Sequence, residues 1–547
     1  MFMNLSFIVK FKYTLAILTF AAIPFVYNSC EGMQSGIIDQ ALAPSIHDHQ
    51  IPPINDNQNN NGNNSPSLAT GNLENSKVCT FENQIHVSIN STASFANCGS
   101  ASSPCRTISD GIEKATEGQA VCIHAGTYNE DNLLMKTGVW LISADGPGEA
   151  KIFSDLTLAI RFRDVNDTGI DGLDIFGTWN SKDEGLELSE RIEGLIRITG
   201  TNSNIKIYNS MIHDAPYDAD VIKVSGATNG LIFDHVIAWS PGRRPPSKGT
   251  PFQEVIDLFG SYVTDSNKNS THVGSLTNII VRNSWLFHVA GRGDYLIYSK
   301  FNMTNVLYEN NIFGPTSGAS DNINSAVGIG TGETTNSESG GLSPYGHVYN
   351  AIVRNNIFTG THGDAALSVC NSTKVWVHNN LFYNNTGDNL RSVMMLRGNY
   401  PDIDVEDLHV HNNMYIENYP NKKNDPYFIW DRDGPPVNFS MSQNYFYNNT
   451  SSSDITYVDD NASIYEDRDF GLSLKPLIPD PESITISSIH KAKQAFLLKP
   501  GSAPEGKGVN LFNEGSYPSF NQTNIGGHHN FLGEERPTNE GWNMGVE

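Results

Sequence analysis

The stretch VRNNIFTGTHGDAALSVCNSTKVWVHNNLFY (Val353 to Tyr383) decides the fold, because it carries one phrase twice. VRNNIF (Val353 to Phe358) and VHNNLF (Val377 to Phe382) share an apolar-x-Asn-Asn-apolar-aromatic frame. Working outward, the frame returns as YENNIF (Tyr308 to Phe313), VRNSWLF (Val281 to Phe287) and IYNSMI (Ile207 to Ile212) on one side. VHNNMY (Val410 to Tyr415) and SQNYFY (Ser442 to Tyr447) follow on the other. FDHVIAW (Phe233 to Trp239) keeps the frame with Asp234 and His235 where the others carry Asn. A phrase repeated every ~25 to 50 residues is the signature of stacked units, so the chain reads as a solenoid.

The unit is made of strands. Each copy alternates β-branched and aromatic residues around a polar pair and follows a second short apolar run. Those runs align too: LIRITG (Leu195 to Gly200), VIKVSG (Val221 to Gly226), VIDLFG (Val255 to Gly260), LIYSKF (Leu296 to Phe301) and ALSVCN (Ala366 to Asn371). Leu at fixed offsets with a helix per unit, the mark of a leucine-rich repeat, is missing. The pattern predicts an all-β, single-stranded, right-handed parallel β-helix with three short strands per coil. Asn at the bend between the second and third strands is expected in αL, hydrogen-bonded to the same Asn one coil away.

Over roughly residues 84 to 510 the chain resembles the β-helix proteins of the pectin-lyase-like superfamily. SPCRTISDGIEKATEGQAVCIHAGTYNE (Ser103 to Glu130) is similar to their opening, which implies an N-terminal capping helix followed by a strand and a Gly-Thr-Tyr turn. Ile108, Ile112 and Ala115 supply the apolar stripe such a helix needs. AFLLKPGSAPEGKG (Ala495 to Gly508) is similar to a common ending. The resemblance implies a fold and no single chemistry, because this architecture hosts lyases, hydrolases, isomerases and inert adhesins.

The ends of the chain speak to compartment. Lys10 and Lys12 precede an apolar run from Tyr13 to Val26, a signal-peptide length, and the run ends at Asn28-Ser29-Cys30-Glu31. Residues 1–30 therefore read as a signal peptide closing at a lipobox-like Cys30, the lipidation site of a protein held at a bacterial outer membrane or cell surface. Residues 31–77 contain Pro52-Pro53 and an Asn run from Asn59 to Asn64, so they read as a linker. Residues 78–510 form the β-helix domain and 511–547 a C-terminal extension. Among six Cys, Cys98 pairs with Cys105 and Cys79 with Cys122, while Cys370 reads as a buried strand residue. A net charge of -24 without an aromatic-basic platform excludes nucleic acid as a partner, and the protein is expected to be a monomer.

Function is carried by the strand that opens each coil. Alternation sends Ile196, Ile222 and Ile256 inward, so Arg197, Lys223, Asp257 and Tyr298 stack outward on coils ~4.8 Å apart, with Lys300 diagonal to Asp257. Long loops flank this stretch: Ser240 to Glu254, Gly260 to Ser275, Gly314 to Ser325 and Thr331 to His347. Arg243, Arg244, Lys248 and Arg292 add to its basic character and point to an anionic polysaccharide. Tyr217, Trp239, Tyr262 and Tyr298 are candidate platforms for sugar rings.

WLFHVAGRGDYLIYSKFNMTNVLYENNIFG (Trp285 to Gly314) is similar to a segment of the alginate lyase and chondroitinase B family in which a Gly-acidic strand leads to a catalytic Lys. The resemblance implies Lys300 as base of a β-elimination. The family's following Arg-His-Gly phrase is replaced here by SAVGIGTGE (Ser325 to Glu333). Stacked cations such as Lys223 and Arg197 are expected to lower the pKa of Lys300. His288 or His235 would protonate the leaving oxygen. Asp218, Asp220, Glu254, Asp257 and Asp294 could supply oxygen ligands for Ca²⁺. Three readings stand: a polysaccharide lyase acting on an acidic glycan, a non-catalytic glycan-binding lipoprotein, and a glycoside hydrolase pairing Asp257 with Glu254 or Asp294.

Overall fold

The computed structural model describes Cys79 and residues 84–154, 158–177, 194–216, 219–241, 253–260, 262–264, 270–272, 274–289, 293–316, 325–330, 347–386, 390, 392–397, 405–419, 429–431, 436–447, 449, 463–464 and 479–496, with Leu511, Trp542, Met544 and Gly545. Cys30 and the expected linker, residues 31–77, lie outside these residues.

Each coil contributes three strands to three parallel sheets, a right-handed parallel β-helix. The first sheet runs from Leu133–Leu134 through Ile160–Arg163, Gly194–Thr199, Ile256–Gly260 and Ile297–Ser299 to Ile429–Asp431. The second runs from Ile85–Val87 to Ser440–Ser442. Strand Asp220–Asp234, 15 residues long, passes through both, so hydrogen bonding merges them into one 21-stranded sheet. The third is a separate 12-stranded sheet that begins at Gly126–Asn129. Helix α1 (Ile108–Lys114) packs on the first coil with Ile108 and Ile112 buried. A Cβ at its Gly111 would come within 2.7 Å of Val87 and Val121, so the close approach needs glycine.

The corner between second and third sheets explains the Asn-Asn phrase. The first Asn of each pair takes the left-handed conformation, with φ of 57° at Asn310, 55° at Asn355, 54° at Asn379 and 56° at Asn412. The second Asn, fully buried, makes the ladder. The backbone and side-chain N–H groups of Asn356 both donate to Asn380 Oδ1, at 2.9 and 3.0 Å, and Asn380 donates likewise to Asn413 at 3.0 Å. The second amide hydrogen of each reaches a main-chain carbonyl, Tyr308 O for Asn356 and Val353 O for Asn380, both at 2.8 Å. Each buried amide thus uses two donors and two acceptor sites, which removes the cost of burying it. The one Asn expected to do both jobs is two neighbours with one job each. In the variant coil His235 holds the left-handed position at φ 56°, while Asp234 aligns with Arg282 rather than with an Asn.

Inside, like side chains stack on like. Phe313, Phe358, Phe382, Tyr415 and Phe446 succeed one another at ring separations of 5.2, 4.6, 4.8 and 4.9 Å. Outside, C-terminal residues return across the coils. Helix α2 (Ser487–Gln494) lays Ile489 and Ala492, with Ile484 and Phe496, on the apolar outer face of the third sheet. Leu511 and Trp542 cover Ile280, Leu307, Ile352 and Trp376 on the second. Two disulfides, Cys79 to Cys122 and Cys98 to Cys105, close the N-terminal end.

Replacing Asn380 by Leu leaves the backbone and side-chain N–H groups of Asn356 without their acceptor and takes one of the two donors from Asn413 Oδ1, so chemical denaturation should show a loss of roughly 3 kcal/mol or more. Asn379→Gly, which keeps the left-handed turn, should cost no more than about 1 kcal/mol.

Candidate functional site

Strand pairing places the outward column of the first sheet in register. Arg161 aligns with Arg197, Arg197 with Lys223, Lys223 with Asp257, Asp257 with Tyr298 and Tyr298 with Gly328. Both Val221 and Ile222 face the core, as do Val255 and Ile256 on the next coil. That local bend turns Asp220 and Glu254 outward beside the column, where Glu254 N–H donates to Asp220 Oδ1 at 2.8 Å. One continuous cluster results. Lys223 Nζ lies 3.4 Å from Asp220 and 3.3 Å from Asp257; Lys300 Nζ lies 2.9 Å from Glu254 and 3.0 Å from Asp257. The three carboxylates each present an oxygen within 4.8 Å of the others, close enough to share one cation.

The cluster is nearly sealed: Asp257 is 2% and Asp220 1% exposed, and the side chains of Lys223 and Lys300 are 12% and 15% exposed. Burial, and then the crowding of Glu254 and Asp257, pushes the Asp220 carboxyl well above its usual range despite Lys223. Burial pushes Asp257 up as well, but Lys300 and Lys223 outweigh it and the group titrates below the usual carboxylate range. Burial would lower Lys300, yet Asp257 and Glu254 outweigh it and raise the ammonium well above the lysine range. The expected lowering of Lys300 by stacked cations is therefore reversed. Its nearest neighbours are carboxylates, and Lys223 spends its charge on Asp220 and Asp257.

Other expectations need correction. Trp239 is no open platform: it is 3% exposed and lies between His213 at 4.0 Å and Phe287 at 5.3 Å on the outside of the third sheet. Tyr298 is also buried, stacked on Tyr295 at 4.0 Å, with Lys300 Nζ 4.9 Å above its ring. The pair lies over Gly328, where a Cβ would come within 2.6 Å of Tyr298 and 2.9 Å of Tyr295. His288 is 4% exposed, and burial drives it down to about 3, so it is a neutral imidazole rather than an acid carrying a proton to give. His235 pairs with Asp234 at 2.8 Å on the corner between second and third sheets, away from this cluster. Asp294 is buried and its N–H donates to Gln253 O, but it is not one of the three converging carboxylates. Tyr217, Asp218, Arg243, Arg244, Lys248 and Arg292, and the side chain of Tyr262, lie outside the described residues.

Two residues of the column escaped the sequence reading. Arg161 in IRFR (Ile160–Arg163) repeats the apolar-charged alternation one coil before Arg197, a signal that was present. Tyr295 sits three positions before Tyr298, and only the local bend brings both to the same face.

The chain matches no known sequence family and no curated protein. Among solved structures its fold is similar to a pectate lyase, Pel9A (10% identity, 80% of this chain and 96% of that one, TM-score 0.44). It is similar as well to a polygalacturonase from Erwinia carotovora ssp. carotovora (14%, 74% and 100%, 0.41) and to PfbA, a surface adhesin of Streptococcus pneumoniae (14%, 62% and 80%, 0.39).

Two outcomes follow from the electrostatics. Lys300→Met leaves Asp257 and Glu254 buried without their closest cation and should cost roughly 3 kcal/mol or more. The double variant Lys300→Met/Asp257→Asn should recover over about 1 kcal/mol of that in a urea-denaturation cycle. His288 titrates lower in the folded chain than its usual 6.5, so the unfolded chain binds more protons in that interval. Stability is then lost as pH falls from about 6.5 toward 3, and a melting-temperature series should show a shallower acid slope for His288→Leu.

Proposed function

We propose that this chain is a cell-surface, carbohydrate-active protein that cleaves an acidic polysaccharide by β-elimination at the cluster on its first sheet. The observation that carries the reading is five ionisable side chains, from successive coils, buried on the outer face of a sheet already held by its backbone ladder and apolar interior. Burying such groups costs stability, and groups with strongly displaced titration gather where chemistry is done. Arg161, Arg197 and Lys223 form a row of cations leading to the cluster on a chain of net charge -24, a pattern that selects an anionic ligand.

Arg197 and Lys223 would hold the substrate's uronate carboxylate and draw charge from it, which acidifies the adjacent C5–H. Asp220, Glu254 and Asp257 are a hard-oxygen set that suits Ca²⁺, and the upward push that Glu254 and Asp257 add to the burial of Asp220 marks the crowding of negative charge there. A divalent cation there would neutralise the uronate further. Lys300 accepts the C5 proton in its amine form. Burial favours that form while Asp257 and Glu254, with Tyr298, oppose it, so the amine would require those carboxylates to turn to another cationic partner. The C–H electron pair becomes the C4=C5 double bond, the C4–O bond breaks, and the leaving oxygen takes a proton from solvent.

The disulfides Cys79 to Cys122 and Cys98 to Cys105, with Cys370 disulfide-bonded as well, support an oxidising compartment outside the cytoplasm. Cys30 would anchor the protein through a lipid, with residues 31–77 as tether.

One observation favours a second reading. Asp220 is pushed up and Asp257 down within one cluster, the split of a proton donor and an ionised partner that a glycoside hydrolase uses.

The full chain should be incubated with alginate, pectate and chondroitin, with and without Ca²⁺. A lyase yields products absorbing in the unsaturated-uronide band, and Lys300→Ala should lower the rate at least ~100-fold. New reducing ends without that absorbance, lost in Asp220→Asn, would replace elimination by hydrolysis; no cleavage of any polymer would sink both.

A further inference from the structure

A second group of chemistry-bearing side chains lies on the outer face of the second sheet, independent of the carbohydrate reading. In strand Val405–His411, Leu408 and Val410 enter the core, so His409 and His411 face outward two residues apart. They stand in register with Ser440 and Ser442 of the next coil.

Two ring nitrogens converge there. His409 Nδ1 lies 2.6 Å from Ser440 Oγ, and His411 Nε2 lies 3.3 Å from the same oxygen. The rings are inclined by 23° with centroids 6.0 Å apart. The remaining nitrogen of His411, Nδ1, is held by Ser442 Oγ at 2.6 Å, and the His409 ring rests on Trp376 at 4.1 Å. His411 is thus oriented from behind by a hydrogen bond, in the way that outer partners fix a metal-bound histidine, and His409 is held by the Trp376 ring. His409, Ser440 and Ser442 are half-buried, which leaves the point of convergence open to solvent.

We propose that His409 and His411, with the Ser440 hydroxyl between them, form a binding site for a borderline first-row dication such as Zn²⁺ or Cu²⁺. Imidazole nitrogens select these ions over Ca²⁺ and Mg²⁺, which need sets of oxygen ligands. Water completes the coordination, and Ser440 is either a weak oxygen ligand or turns aside.

The test uses the metal-free full chain, titrated calorimetrically with Zn²⁺, and electron paramagnetic resonance of the Cu²⁺ form. The sequence holds 16 His, so differences decide. Wild type should bind one equivalent more than His409→Gln/His411→Gln, and its Cu²⁺ spectrum should show a two-nitrogen species that the double variant lacks. Ser440→Cys puts a thiolate at the convergence point and should tighten Zn²⁺ roughly tenfold or more. This variant leaves both imidazoles in place and decides the matter if the double variant fails to fold. Equal stoichiometry and affinity in wild type and double variant, or unchanged Zn²⁺ affinity in Ser440→Cys, would overturn the site and leave the imidazoles as packing partners of Trp376.

Discussion

Everything in this molecule depends on the phase of one coil relative to the next. Parallel ladders fix the spacing at ~4.8 Å, but a ladder alone tolerates slippage by two residues without moving a side chain to the other face. The buried amide row at the second corner removes that freedom. From Asn311 through Asn356, Asn380 and Asn413 to Asn444, each step is tied by two hydrogen bonds of 2.9 to 3.0 Å between fully buried amides. A slip would leave buried amides with neither partner nor solvent, which is the most costly error available to this chain.

Fixed phase makes columns, and columns force like or unlike groups together. At the second corner the outward column alternates in sign: Asp234 meets Arg282 at 2.8 Å, Arg282 stands in register with Glu309, and Glu309 meets Arg354 at 2.6 Å. That column neutralises itself and needs no ligand. The first sheet differs, since Arg161, Arg197 and Lys223 succeed one another with the same sign before the carboxylates begin. Like charges on adjacent strands repel. Such a run carries a repulsion that the alternating column does not, and the contrast between two columns of one molecule is a better guide than the count of charges in either.

The sequence shows periodicity well and environment poorly. The repeat, the three-strand coil and the alignment of Arg197, Lys223, Asp257 and Tyr298 follow from alternation alone, because period and phase are written in the order of residues. The diagonal contact of Lys300 with Asp257 follows as well. The sign of the Lys300 shift was not legible, because it depends on Glu254, which reaches the cluster through a bend that sends two consecutive residues inward. Trp239 read as a platform because nothing local shows that His213 and Phe287 would stack on both its faces. The division of labour within Asn-Asn was hidden for a similar reason: φ and ladder bonding are properties of adjacent residues with identical names.

The return of the chain across its own exterior covers apolar faces on two of the three sheets. Ile489, Ala492 and Phe496 cover apolar residues of the third sheet, and Leu511 and Trp542 those of the second. Lys493 goes under with them, its Nζ 3.1 Å from Asn283 Oδ1, and burial lowers it to about 7 although Asp234 and Glu309 pull the other way. A docking arm carrying a buried lysine is tolerated because the apolar contacts around it outweigh the desolvation of one amine, which can be shed as a proton near neutrality. The first sheet has no comparable apolar outer face between Arg161 and Lys300. Its outward positions are charged, hydroxylic or aromatic, and an apolar strap would have nothing there to bury. Among the described residues, the buried cluster of Asp220, Lys223, Glu254, Asp257 and Lys300 lies on the sheet that the C-terminal residues do not cover.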